Sequence, residues 1–177
     1  FADSGITAIV LPAGVTALSD SLFSGCSSLA EVTLNGDVES IGDYVFQKCQ
    51  ALKHFTIPAT VTAIGSQAFN SSGLESIEIP GSLRSLYAKP PYLSWNSALF
   101  GNCKSLKTVI LHEGLEYING EAFKGCPALE SIVIPASVLE IGANAFNGCT
   151  NLTTVTFANG SLLDTIGINA FQKTGIK

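Results

Sequence analysis

The residues of this chain whose side chains could carry out chemistry are its cysteines and histidines. They are Cys26, Cys49, Cys103, Cys126 and Cys149, with His54 and His112. Thiolates and imidazoles are the usual ligands of zinc, and a serine beside a histidine can act as a nucleophile. No Cys-x-x-Cys pair or paired-histidine spacing occurs, so the sequence predicts no metal site and no cofactor. A Ser/His pair, such as His54 with Ser76, is available only on neighbouring segments.

Every cysteine follows a phenylalanine by three residues. Those phenylalanines are Phe23, Phe46, Phe100, Phe123 and Phe146. At Phe1, Phe69 and Phe171 the corresponding turn is one residue shorter and carries Ser4, Ser72 and Thr174 instead. An odd number of cysteines argues against a complete disulfide framework. A fixed phase within a repeated unit favours a column of buried structural thiols.

That repeated unit is a motif of the form Leu-x-x-apolar-x-apolar. Its copies begin at Ile6, Leu29, Leu52, Leu74, Leu106, Leu129 and Leu152, at intervals of 23, 23, 22, 32, 23 and 23 residues. Self-similarity at this period is typical of a leucine-rich-repeat solenoid. We expect a single domain over 1–177, with about seven repeats and an insert at 87–95. The predicted fold has a parallel sheet on its concave face, with short strands and 3₁₀ or helical turns on the convex side.

The repeat over 129–151 illustrates the physical logic of the unit. Ile132 and Ile134 alternate with Ser131 and Val133, which predicts a short strand with one face in the core. Proline follows at 135 and ends the strand, because it cannot donate to a ladder. At Gly142 we predict a positive φ, since glycine and occasionally asparagine occupy the equivalent position in other repeats.

Composition excludes several classes of partner. The net charge is −5 and the lysines are scattered, whereas nucleic acids and anionic membrane surfaces attract clustered basic residues. No apolar run approaches the roughly 18 residues that span a bilayer, so no direct membrane insertion is expected. The chain begins at Phe1 and lacks methionine, and we interpret it as a mature or excised piece of a longer protein. Uncapped repeats at both ends predict possible end-to-end self-association.

The combined motif resembles the BspA-like class of leucine-rich repeats. Residues 134–152 read Ile-Pro, Val, Ile-Gly, Ala-Phe, Cys and Leu at the spacing of that class, and the likeness extends over the whole chain. Departures include Asn35-Gly36 and His112-Glu113, where Ile-Pro is usual. The resemblance implies a cell-surface or secreted protein, since several members are adhesins that bind host proteins such as fibronectin and fibrinogen. It supplies no catalytic motif and no fixed binding residues.

Two surfaces are candidate binding sites. The outward strand positions are Ala8, Val10, Glu31, Thr33, His54, Thr56, Ser76, Glu78, Thr108, Ile110, Ser131, Val133, Thr154 and Thr156. They form either a solvated sheet or a shallow platform for a protein or glycan. The insert carries Tyr87, Tyr92 and Trp95, which anchor a ligand in one interpretation. In the other, Trp95 and Leu93 fold back to cap the convex side of the repeat. With the insert we group Glu78, Ile110, His112 and His54 as candidate binding residues.

Two functional hypotheses follow from these features. A flat strand face offers no oxyanion hole and no buried carboxylate to orient a histidine, so we expect no enzyme activity. The first hypothesis is an adhesion or recognition module whose partner is a host or extracellular-matrix protein, possibly a glycan. The alternative is a structural spacer that presents another domain and has no ligand of its own.

Overall fold

The chain winds as a solenoid of stacked coils, and each coil contributes a longer strand, a shorter strand and a phenylalanine-bearing turn. The computed structural model describes residues 1–86 and 97–177. The longer strands are β1 (Ala8–Leu11), β3 (Glu31–Leu34), β6 (Ser76–Ile79), β7 (Thr108–Leu111), β9 (Ser131–Ile134) and β11 (Thr154–Phe157). The shorter ones are β2 (Ala17–Leu18), β4 (Ser40–Ile41), β5 (Ala63–Ile64), β8 (Tyr117–Ile118), β10 (Glu140–Ile141) and β12 (Thr165–Ile166).

The described residues contain no helix. The prediction of 3₁₀ or helical turns on the convex side is therefore wrong there, and the phenylalanine segments are non-helical turns. It follows that no helix capable of crossing a membrane occurs in 1–86 or 97–177.

All strand pairing runs in parallel between adjacent coils. The longer strands pair as β1–β3, β6–β7 and β9–β11, and the shorter ones as β2–β4–β5 and β8–β10–β12. Register keeps equivalent repeat positions opposite one another, as in Ala8 with Glu31 and Ser131 with Thr154. Residues 54–57 occupy the place of a longer strand in the third coil but pair with neither neighbour.

The core is a column of layers, one layer per coil. Ile132 and Ile134 are buried whereas Ser131 and Val133 between them are exposed, which confirms the predicted alternation. Phenylalanine rings fill the middle of the layers, and successive rings from Phe1 to Phe171 stack with centroids 5.2–5.6 Å apart. Because each ring packs on the next, most stability resides at the interfaces between coils.

A second ladder runs through the phenylalanine turns without any strand. The N–H of each phenylalanine donates to the next coil, for example Phe123 to the Ala145 carbonyl at 2.8 Å. The residues two positions before and after the phenylalanine adopt positive φ, as Glu121 does at 61° and Gly125 at 72°. Their N–H groups also donate to the next coil. In these turns, residues with positive φ lie two positions on either side of the phenylalanine. As a result, every second N–H group points along the solenoid axis toward the next coil.

Positive φ at Gly142 was predicted, and the structure contradicts it. Apart from Gly114 and Gly160, the described residues with positive φ are those flanking the repeated phenylalanines, and Gly142 is not among them. A Cβ built on Gly142 would instead lie 2.4 Å from the Gly120 nitrogen of the preceding coil. Glycine is needed there because two backbones approach closely.

The cysteine side chains form the predicted buried column, and all five carry free thiols. Each Sγ–H donates to the carbonyl of the phenylalanine one coil earlier, as Cys49 does to Phe23 at 3.2 Å and Cys149 to Phe123 at 3.1 Å. Burial raises the pKa of Cys49 to about 12 and that of Cys149 to about 11. These thiols therefore remain protonated and unreactive at neutral pH.

Apolar side chains become exposed at the last coil. They are Phe157, Leu162, Ile166, Ile168 and Ile176. The predicted end-to-end association of the chain would cover them, and it stays a prediction.

Replacing Gly142 with alanine tests the close approach between coils. We expect Gly142→Ala to lower the free energy of unfolding by about 1–3 kcal/mol, because the new methyl group meets backbone that cannot move aside. Chemical denaturation measures this loss. Gly14→Ala is the control, since a Cβ there meets nothing within 4 Å, and it should leave stability unchanged or slightly higher. Equal effects of the two changes would contradict the close-approach explanation.

The raised thiol pKa values predict a specific alkaline sensitivity. In the unfolded chain a cysteine loses its proton near pH 9, whereas folded Cys49 retains it to about 12. Stability from this thiol is complete below about pH 9 and falls by up to about 1.4 kcal/mol per pH unit above it. The variant Cys49→Ala should show a correspondingly shallower decline between pH 10 and 11.5 in denaturation experiments. Parallel curves for the two proteins would refute the assignment.

Candidate functional site

The outward side of the longer strands forms the concave face, and the sequence predicts its composition correctly. All fourteen outward positions named above are exposed except Ser76, which is half-buried. The face is dominated by small hydroxylated and β-branched side chains. Its charged and aromatic groups therefore stand out as local features.

Proline decides where the concave sheet is continuous. In the three paired junctions, the residue after the strand donates its N–H to the preceding coil: Asn35 to Leu11 at 3.3 Å, His112 to Ile79 at 3.2 Å and Ala158 to Ile134 at 3.0 Å. At the three unpaired junctions that residue is Pro58, Pro80 or Pro135. Proline has no N–H, so the terminal rung of the ladder is missing at each of these junctions. The sheet is consequently divided into pairs of strands.

The third coil lies between two of these breaks. Its inward residue is Phe55, where the other coils carry isoleucine or valine. The Phe55 ring reaches the central column, with centroids 4.7 Å from Phe46 and 5.4 Å from Phe69. Within the described part of the chain, residues 54–57 form no main-chain hydrogen bond. Of these residues, His54 and Thr56 are exposed, whereas Phe55 and Ile57 are buried.

Each break coincides with a depression in the concave face. Between residues 54–57 and the strands β6 and β7 lies a groove of about 490 Å³, which we call the central groove. Another of about 410 Å³ separates 54–57 from β3, and one of about 200 Å³ separates β7 from β9. Missing rungs thus convert a flat sheet into a surface with grooves.

Side chains, rather than main-chain rungs, bridge the junction at the central groove. His54 Nδ1 lies 3.3 Å from Ser76 Oγ across it. Just before the strands, Lys53 Nζ lies 3.7 Å from Glu75 Oε1. The His54–Ser76 contact confirms that these two residues are neighbours, as their adjacent strand positions predict.

On the far side of the groove, three predicted site residues come together. Glu78 is the register partner of Ile110 in the β6–β7 pair, and His112 Nε2 lies 2.5 Å from Glu78 Oε1. When His112 is protonated, this contact is an ion pair. Ile110 presents an exposed apolar side chain beside them.

The predicted site residues therefore divide into two sets. His54, Glu78, Ile110 and His112 lie together around the central groove, and the first three line it or its rim. Tyr87, Tyr92 and Trp95 fall in 87–96, outside the described residues. The structural role of Pro58 and Pro80 was not predicted, although the N–H that proline lacks is evident from the sequence.

The contacts among the described site residues are hydrogen bonds and ion pairs. Glu78 contacts His112 and not His54, so no Ser-His-carboxylate chain is assembled. Among the described residues, no group of three or more His, Cys, Asp or Glu side chains could hold a metal ion. Glu113, near the groove, accepts hydrogen bonds from the Ala136 and Ser137 N–H groups, which lower its pKa. The Glu113 carboxylate therefore binds the main chain of the next coil.

Comparison with protein families agrees with this architecture. Residues 1–90 and 92–177 match the BspA type leucine rich repeat region, in six copies. The chain belongs to this family of leucine-rich-repeat proteins. No curated protein is significantly similar to it in sequence.

Two solved structures show the same fold. A leucine-rich-repeat protein of T. pallidum is 27% identical, with a TM-score of 0.78 over 94% of this chain and 76% of its own length. One from Eubacterium ventriosum is 20% identical, with a TM-score of 0.65 over 98% of this chain and 60% of its own. The chain thus spans about three quarters of the first protein and three fifths of the second.

Restoring the missing donor should close the central groove. In Pro80→Ala, the new N–H faces the Ile57 carbonyl, as the His112 N–H faces Ile79. We expect slower amide hydrogen exchange at Glu78 and a gain of about 0.5–1.5 kcal/mol from the added hydrogen bond. Pro12→Ala is the matched control, because it loses the same backbone restriction but has no preceding coil to bond. If the two variants behave alike in exchange and stability, proline is not the cause of the break.

Proposed function

We propose that this chain is a non-enzymatic recognition module that binds an extracellular macromolecule through its concave face. The observation that carries the proposal is the grooved, hydroxyl-rich surface on which His54, Glu78, Ile110 and His112 converge. Loops and depressions on a rigid scaffold are the usual places for recognition. The location we propose, cell surface or secreted, is the one implied by the resemblance to BspA-like proteins.

The physical character of the face supports binding rather than catalysis. The concave surface combines exposed Ile110 and Val133 with hydroxyl groups, a mixture suited to an interface with an apolar centre and a polar rim. The side chains are held on strands whose spacing is fixed by neighbouring coils, so little freedom is lost on binding. The insert at 87–95 remains a proposed contributor through Tyr87, Tyr92 and Trp95.

A bulky charge on the concave face tests the proposal. Using surface plasmon resonance, we would screen the chain against fibronectin, fibrinogen and immobilised mucin. Any interaction found should weaken at least tenfold in Ile110→Arg, because the guanidinium side chain occupies the centre of the face. Tyr44→Arg is the control, since Tyr44 is exposed on a phenylalanine turn and lies away from that face.

The alternative function, a structural spacer, makes the opposite prediction. A spacer should bind none of these partners at micromolar concentration in either form. Binding that Tyr44→Arg weakens as much as Ile110→Arg would place the interface elsewhere and remove support for the concave face.

A further inference from the structure

The central groove is bordered by hydroxyl side chains and by a chain segment that takes no part in the sheet ladder. Residues 54–57 make no main-chain hydrogen bond within the described chain, and all four border the groove. Hydroxyl side chains of Thr56, Ser76 and Thr108 also line it. A ligand that fills this groove must therefore supply donors and acceptors at close intervals.

Ionic ligands are not what the groove favours. Among the described residues that line it, Glu78 carries a carboxylate, which lies 2.5 Å from His112, and Lys53 at its edge lies 3.7 Å from Glu75. Both pairs are solvent-exposed and weak, and in each an acidic group lies beside a basic one, so a charged ligand gains little net attraction from them. The groove thus favours a neutral, polar ligand.

A peptide strand also fits poorly. Strand addition requires a free sheet edge, with the new strand about 4.8 Å from its neighbour. Here chain lies on both sides of the groove, residues 54–57 on one and β6 on the other. A polyhydroxylated ring differs from a strand, because each hydroxyl both donates and accepts and no sheet edge is needed.

Size and the apolar lining agree with a sugar. A volume of about 490 Å³ lies within the range of small-ligand sites and accommodates a few pyranose rings. Pro80 and Ile110 supply apolar surface that can pack on the C–H face of such a ring. We infer that the central groove is a subsite for a short neutral oligosaccharide segment. This inference rests on the proposed function, since it specifies the ligand class for the concave face.

The direct test is binding of defined saccharides to the intact chain. Saturation-transfer NMR and calorimetry would use neutral trisaccharides of glucose, galactose, mannose and N-acetylglucosamine, with sialyllactose as an anionic counterpart. We expect saturation transfer to at least one neutral trisaccharide and weaker or no transfer to sialyllactose. Preference for sialyllactose, or no transfer to any neutral saccharide, would overturn the inference.

Four variants locate the site. Thr56→Val and Ser76→Ala remove groove hydroxyls with little change of shape, and each should weaken saccharide binding at least fivefold. Thr156→Val makes the same change at the equivalent outward position of β11, far from the groove, and should leave binding unaltered. Pro80→Ala should weaken binding by narrowing the groove without altering its hydroxyls. Equal effects of Thr56→Val and Thr156→Val would overturn the assignment.

The two proposals fail in distinguishable ways. If no saccharide binds but a matrix protein still binds in an Ile110-dependent manner, the oligosaccharide subsite is wrong and the recognition function stands. If neither a saccharide nor a matrix protein binds, both proposals are wrong and the spacer remains.

Discussion

Hydrogen bonding between successive coils is the interaction on which the rest of this structure depends. It holds the coils so that the stacked rings lie 5.2–5.6 Å apart, and every group between two coils must fit that spacing. Flat aromatic rings, small thiols and glycine satisfy this condition, whereas a side chain on Gly142 would not. The repeated residue types are thus a consequence of one axial distance, applied once per coil.

The same interaction explains where the molecule departs from regularity. The N–H groups that end the paired longer strands donate toward the preceding coil, whereas those of the phenylalanine turns donate toward the following one. Hydrogen bonding in the turn ladder depends on backbone conformation, which residues as different as Glu121 and Gly125 can adopt. The strand ladder instead ends on the N–H of one residue, and proline at that position has no N–H to donate. Irregularity is therefore concentrated on the concave face, where it leaves polar groups open to a ligand.

The periodic features could be predicted from sequence because they are shared by all coils. The inward and outward strand positions, the stacked phenylalanines and the buried Cys49 column follow from one repeated pattern of polarity. The conformation of the turns could not be predicted from sequence, since Tyr44 and Lys48 adopt positive φ although neither residue type favours it. The reason for Gly142 was also inaccessible, because close approach between coils cannot be distinguished from positive φ in a single sequence.

Features that belong to one junction between coils were harder to predict than those of the repeat. The proximity of His54 to Ser76 and of Glu78 to Ile110 followed from equivalent strand positions. The groove between them did not, because it depends on whether Pro80 or a donor such as His112 ends the strand. A repeat motif does not specify which residue ends each strand. In this chain, those unspecified residues shape the candidate site.

The uneven distribution of rungs also has a mechanical consequence. The turn ladder connects each phenylalanine segment to the next, so that side resists extension along the solenoid axis. The opposite side is interrupted at Pro58, Pro80 and Pro135, where side-chain contacts such as Lys53–Glu75 give way more readily. The solenoid therefore resists bending more in one direction than in the other. It bends most easily at the three proline junctions of the concave face. A load applied between its ends would open the grooves before it disturbed the stacked rings.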